Sequence, residues 1–291
     1  MKSFRVLSLY CIQIKFFTLR KTPFFLLLGL IFCGLASYSQ SLRQPISAIY
    51  TSLGAYSKKH VDVFSFTSNQ AALMQLTQPA VGVYGERRFM LQETSMYNAV
   101  GAFKTKAGNF GLNLKYAGFS NFNENQIGLA YARSVGTKVD IGVQFNYYGY
   151  QIPSYVSDNA LGAEIGAIVH ISDKLNVGVQ VANLIASKYN KTDEKLPAYY
   201  KLGLGYDASD KFYVSAELVK EEDFPVNLNA GIQYNFVKQF FARVGVASAT
   251  STAYAGLGLA WNNLRLDVTG SYHPQLGLSP GLMLIMNFGK K

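Results

Sequence analysis

From residue 79 onward, apolar and polar residues exchange places at every second position for most of the chain, and this period leaves few folds open. In residues 138–150, Val139, Ile141, Val143, Phe145 and Tyr147 fall on one side, and Asp140, Gly142, Gln144, Asn146 and Tyr148 on the other. The cleanest copy is 226–236, where Val226, Leu228, Ala230, Ile232, Tyr234 and Phe236 alternate with Asn227, Asn229, Gly231, Gln233 and Asn235. A period of two is that of a β-strand, whose successive side chains point to opposite faces. Strands of this length reach the roughly 9–11 residues that a tilted strand needs to cross a bilayer.

A soluble β-sandwich shares the period, so the residues on each face must decide. The polar face is filled with Gly, Asn, Gln and Ala, where a solvated sheet usually carries Lys, Glu and Thr. Charged residues are only 15% of the chain, against about 25% in soluble domains. The apolar face of the better-patterned strands carries no charge, which at a bilayer midplane would cost about 2–4 kcal/mol. Tyr116, Tyr206, Tyr234, Phe236 and Trp261 sit near segment ends, as an interfacial aromatic girdle requires. Near the C-terminus Leu282, Leu284, Met286 and Phe288 share one face.

Fourteen segments show the pattern: 79–88, 95–105, 108–118, 123–133, 137–149, 159–170, 173–184, 196–206, 210–220, 225–236, 239–247, 252–261, 263–273 and 279–288. The second breaks alternation at Val100. Tight links such as Lys106-Ala107, Ala208-Ser209 and Asn262 alternate with generally longer ones, among them 119–122, 150–158, 185–195 and 274–278. The expected fold is an all-β, 14-stranded antiparallel up-and-down transmembrane β-barrel, with both barrel ends on the short-turn, periplasmic side.

The first 39 residues differ in kind. Lys2, Arg5, Lys15, Arg20 and Lys21 precede the apolar run from Phe24 to Cys33, with Ser37 and Ser39 before a cut ahead of Gln40. This reads as a cleaved signal peptide, so the expected location is the bacterial outer membrane. Cys11 and Cys33 leave with the leader, and no thiol remains. The formal charge of +10 falls as well, because 22 basic residues then face 17 acidic ones, a net +5. That modest and scattered excess is no nucleic-acid footprint. Residues 40–78 lack the period, apart from a strand-like run from Val61 to Phe66, and are assigned to a hatch or plug inside a barrel formed by 79–291.

Several local patterns recur in order: Asn69-Gln70-Ala71-Ala72-Leu73, Leu196-Pro197 leading into Leu202-Gly203-Leu204-Gly205-Tyr206, Gly231-Ile232-Gln233-Tyr234, Arg243-Val244-Gly245, and Leu266-Asp267 ahead of Leu276-Gly277. On these the chain resembles the FadL-type outer-membrane barrels, in particular the branch containing PorV and PorQ of the type IX protein secretion system. The resemblance covers the chain after the leader and implies a hatch whose motif is Asn69, Gln70 and Ala71, with Gln70 where the family tends to have proline. No loop is long enough for the hydrophobic capture site of the long-chain fatty acid transporters.

Alternation places Glu86, Arg88, Lys115, Asp140, Glu164, Lys201, Glu217, Arg243, Arg265 and Asp267 in the lumen, five basic and five acidic. They are read as a balanced network of ion pairs that packs the interior and anchors the plug, with a solute path as the alternative. His60, His170 and His273 are widely spaced and form no metal-ligand pattern. No cofactor motif and no catalytic constellation is evident. Besides outer-membrane lipid, the resemblance implies either a partner role in an outer-membrane secretion or assembly complex or a passive channel for small hydrophobic ligands. The partner role is the first expectation and the channel its alternative.

Overall fold

The computed structural model describes residues 49–192, 194–222 and 224–289. The proposed leader, 1–39, lies outside the described residues, as does the start of the hatch. Fourteen strands close into one antiparallel barrel: β1 (Ala80–Arg87), β2 (Ser95–Lys104), β3 (Asn109–Phe119), β4 (Phe122–Val135), β5 (Val139–Ile152), β6 (Val156–His170), β7 (Leu175–Ala182), β8 (Tyr199–Asp207), β9 (Phe212–Glu221), β10 (Asn227–Asn235), β11 (Phe240–Ala247), β12 (Thr252–Trp261), β13 (Leu264–His273) and β14 (Gly277–Asn287). Each strand pairs with its sequence neighbours. β1 closes the ring against β14, in a register running from Ala80↔Asn287 to Glu86↔Gly281. Closure leaves no strand edge unpaired, the condition for placing a sheet in hydrocarbon.

The two faces follow the alternation. On β5, Asp140, Gly142, Gln144 and Asn146 are buried in the lumen, while Phe145 on the outer face is 68% exposed. The outer face repeats this on every strand, with Leu129, Leu161, Leu202, Ile232, Leu257 and Leu282 all exposed. A continuous apolar belt on a closed barrel is a lipid-facing surface.

The contrast between short and long links is weaker than expected. The links predicted at 119–122 and 150–158 shrink to 120–121 and 153–155, because β4, β5 and β6 run on as hairpin arms of 14, 14 and 15 residues, and that at 274–278 shrinks to 274–276 because β14 already begins at Gly277. Polar residues such as Asn123 and Gln151 still pair across the ladder there, and backbone hydrogen bonding prolongs a hairpin without an apolar face to guide it. The link 88–94 stays long, and 183–198 is longer still, pinned by an isolated bridge between Lys188 and Lys195.

The barrel is filled by 49–78. A single helical turn, α1 (Ile49–Ser52), precedes two 3-10 turns, Ser65–Thr67 and Gln70–Gln75. The run from Val61 to Phe66 is not a strand. Asp62 folds it back, accepting from the Phe64 amide at 3.0 Å while its own amide donates to Ser65 Oγ at 3.0 Å, an Asx-type turn. Its apolar residues instead pack outward onto the wall. Phe64, Phe66 and Leu73 are fully buried against Ala80, Met96, Val100, Ala102, Met283 and Ile285. This explains Val100: it breaks the dyad because the plug presents an apolar surface to β2, so an apolar side chain there faces the lumen.

Candidate functional site in the barrel lumen

The plug is seated where the wall has no side chains. At Gly142 an added Cβ would lie 2.5 Å from the carbonyl carbon of Gln70 and 2.6 Å from the Ala71 nitrogen, and at Gly203 it would overlap the ring of Tyr56. The hatch motif makes the matching polar contacts. Asn69 caps its 3-10 turn through the Ala71 amide at 3.1 Å and donates to the Val179 carbonyl at 3.0 Å, while Gln70 donates to Glu164 at 2.5 Å. Proline at this position would have no side-chain donor, so the bond to Glu164 depends on glutamine.

Charged side chains complete the attachment. Asp62 accepts from Arg243 at 3.1 Å and from Arg265 at 3.0 Å, and Arg265 also grips Asp267 at 2.5 Å. Tyr50 of α1 donates to Asp267 at 2.9 Å, and Phe241 lies beneath both guanidinium groups. Glu217 accepts from Tyr56 at 2.7 Å and Ser68 at 3.1 Å, with Lys201 3.9 Å away. Asp140 binds His170 at 2.9 Å and also accepts from Gln75 of the plug. At the barrel's base, Asp207 accepts from Ser57 Oγ at 2.5 Å and the Lys58 amide at 3.0 Å. Glu86 pairs with Arg88 at 3.0 Å near the opposite rim, where Arg88 lies just past the end of β1. Plug residues thus contact Asp140, Glu164, Lys201, Glu217, Arg243, Arg265 and Asp267, while Glu86 pairs with Arg88.

Two anchors escape the alternation argument. Asp62 has no signature because the plug has no period. Asp207 continues the lumenal parity of Lys201, Gly203 and Gly205 on β8, a signal available in the sequence.

Between the plug and the rim that carries the 183–198 loop lies a cavity, with about 770 Å³ of empty space when its part open to solvent is counted. Ser52 and Thr67 of the plug form part of its floor; Lys115, Gln126, Gln144 and Glu164 line one stretch of wall, and Lys201 and Glu217 another. The amides on the first stretch point their donors toward a carboxylate. Gln126 and Gln144 both donate to Asn146 Oδ1, at 2.9 and 2.7 Å, and Asn146 donates to Glu164 at 2.7 Å. Glu164 thereby accepts from Gln70, Asn146, Tyr148 and Gln180. Lys115, 6% exposed, has no hydrogen-bond or ion-pair partner among the described residues. Asp267, Ser271 and His273, which share β13, do not form a relay: Asp267 is held by Arg265 and Tyr50, and His273 Nδ1 accepts from the Gln275 and Leu276 amides at 3.2 Å.

No family model matches the sequence, and no curated protein matches it. Solved structures do resemble it in fold. The CymD monoaromatic hydrocarbon channel superposes with a TM-score of 0.60 at 11% identity, covering 79% of this chain and 94% of that one. A Pseudomonas aeruginosa FadL homologue gives 0.59 at 12% identity, covering 78% and 94%. The Pseudomonas putida toluene transporter TodX gives 0.55 at 10% identity, covering 80% and 96%. The shared feature is the FadL-type outer-membrane barrel fold.

Proposed function

We propose that this chain is a passive outer-membrane channel for small hydrophobic compounds, exported on the leader 1–39 and closed at rest by its plug. The observation that carries the reading is the cavity directly above that plug, lined by plug and wall residues together. It lies within a barrel whose fold neighbours include a monoaromatic hydrocarbon channel and a toluene transporter. A secretion partner of the PorV or PorQ kind would need an outer surface to dock on and no lumenal chamber, so the cavity and the fold neighbours favour the channel over the partner role that the sequence placed first. Polar groups line the chamber, which suits hydrophobic compounds carrying a polar substituent.

The test is uptake of radiolabelled toluene and benzyl alcohol by cells whose own channels of this type are deleted, with and without this chain. Expression is expected to raise uptake of at least one several-fold. Unchanged uptake of both, with stoichiometric co-purification of a secretion complex from native membranes, would overturn the channel reading.

A further inference from the structure

We propose that the cavity above the plug is a binding site for a small organic monocarboxylate, held by the ammonium group of Lys115. The inference rests on the channel reading and names the polar group that its solute would carry. Lys115 projects from the middle of β3 into the lumen and lines the cavity. It is more than nine-tenths buried and without a partner among the described residues. A buried ammonium is costly unless paired, and every other lumenal cation here has a carboxylate within ion-pair distance: Arg88 has Glu86, Lys201 has Glu217, Arg243 has Asp62, and Arg265 has Asp62 and Asp267. Glu164, the acid nearest in this stretch of wall, is already saturated by four amide and hydroxyl donors.

The surroundings of Lys115 are built from acceptors, with no carboxylate at ion-pair distance among the described residues. Its register neighbours are Asn98 on β2 and Gln126 on β4. Among the described residues the Oδ1 of Asn98 and the Oε1 atoms of Gln126 and Gln144 have no hydrogen-bond partner, and the amide donors of Gln126 and Gln144 are turned toward Asn146. The wall therefore offers one positive charge set among amide oxygens. An incoming anion supplies the missing charge, and a hydroxyl on the same molecule can satisfy an amide oxygen after a small side-chain turn. Three carboxylates, Glu164, Glu217 and Glu221, line the same cavity against two lysines. That balance disfavours a dianionic phosphate, and a monoanion seated on Lys115 itself meets less repulsion.

The experiment uses the purified full-length protein in detergent and three probes with the same ring: mandelate, benzyl alcohol and phenyl phosphate, measured by calorimetry. Mandelate is expected to bind at least about tenfold more tightly than either of the others. Lys115→Met should abolish that preference, and Lys115→Arg should keep most of it, with heat-modifiable mobility on gels reporting that each variant barrel is folded. Equal binding of mandelate and benzyl alcohol by the wild-type protein would overturn the proposal without needing any variant, as would an unchanged preference in a folded Lys115→Met. Uptake of toluene or benzyl alcohol without carboxylate selectivity would leave the channel reading standing and remove this one.

Discussion

The carboxylate of Asp62, in the plug, lies 3.1 Å from the guanidinium of Arg243, in the wall, across a sequence separation of 181 residues. Asp62 holds a second arginine, Arg265, at 3.0 Å from the same oxygen. The pair joins a segment with no strand period to a strand that has one, and it does so in a buried setting where removing one partner leaves charge uncompensated.

Asp62→Asn should therefore loosen the plug more than it disturbs the barrel. Breaking a buried pair from one side costs about 3–5 kcal/mol, here borne by the contact between 49–78 and the wall. Planar-bilayer recording should show larger or more frequent openings than wild type, while heat-modifiable mobility stays unchanged. Silent recordings identical to wild type would show that the aromatic contacts hold the plug without this anchor.

At Gly203 a valine side chain would enter the space of the Tyr56 ring. Overpacking of this kind costs about 1–3 kcal/mol, and Gly203→Val should lower the unfolding midpoint in detergent. Adding Tyr56→Ala should recover part of the loss, because the two changes share one space. Simple additivity of the two destabilisations would show that the ring does not bear on that glycine.

Acid should weaken the plug through His60. Its Nδ1 accepts from the Gln233 amide at 3.1 Å, and its Nε2 faces the Ser209 carbonyl at 3.4 Å, so the neutral ring carries its proton on Nε2. Gln233 cannot readily flip, since its oxygen accepts from Arg243 at 2.8 Å. Burial holds the His60 pKa below its ordinary value, near 6.5. Above that value both folded and unfolded chains keep the ring neutral; as pH falls below it, the unfolded chain binds a proton that the folded one resists, and stability is lost. Asp62 adds to this at lower pH. Burial pushes its carboxyl up, but Arg265 and Arg243 outweigh burial and hold it below the usual range, so its contribution disappears as pH falls through that lowered value. Protease protection of the plug should drop between pH 8 and pH 5.5 in wild type and less so in His60→Gln. An equal drop in both would assign the effect to another group.

Outward-facing positions should respond to charge according to depth. Ile232, near the middle of β10, and Phe236, just past its end, are both exposed. Ile232→Arg should cost about 2–4 kcal/mol in bilayer refolding, and Phe236→Arg about 0–1 kcal/mol. Equal costs at the two sites would indicate a protein surface, and not lipid, against this face.

The strand count and the two faces were legible in the sequence because each depends on a local rule: a strand turns its side chains over at every residue. Val139 to Tyr147 and Val226 to Phe236 carry that rule openly. Val100 violates it, and only the packed plug shows why. The links 120–121 and 153–155 were misjudged because the hairpin arms are prolonged by backbone pairing, which leaves no mark in side-chain pattern.

What the sequence determined by itself, then, was a wall: how many times the chain crosses, and which side of each crossing is greasy. Tertiary structure alone decided what fills that wall. Which glycine receives Tyr56, which two arginines close on Asp62, and that Lys115 is left without an acid all depend on contacts between residues tens to hundreds of positions apart. A period describes a residue's own strand; a partner is set by where the rest of the chain comes to lie.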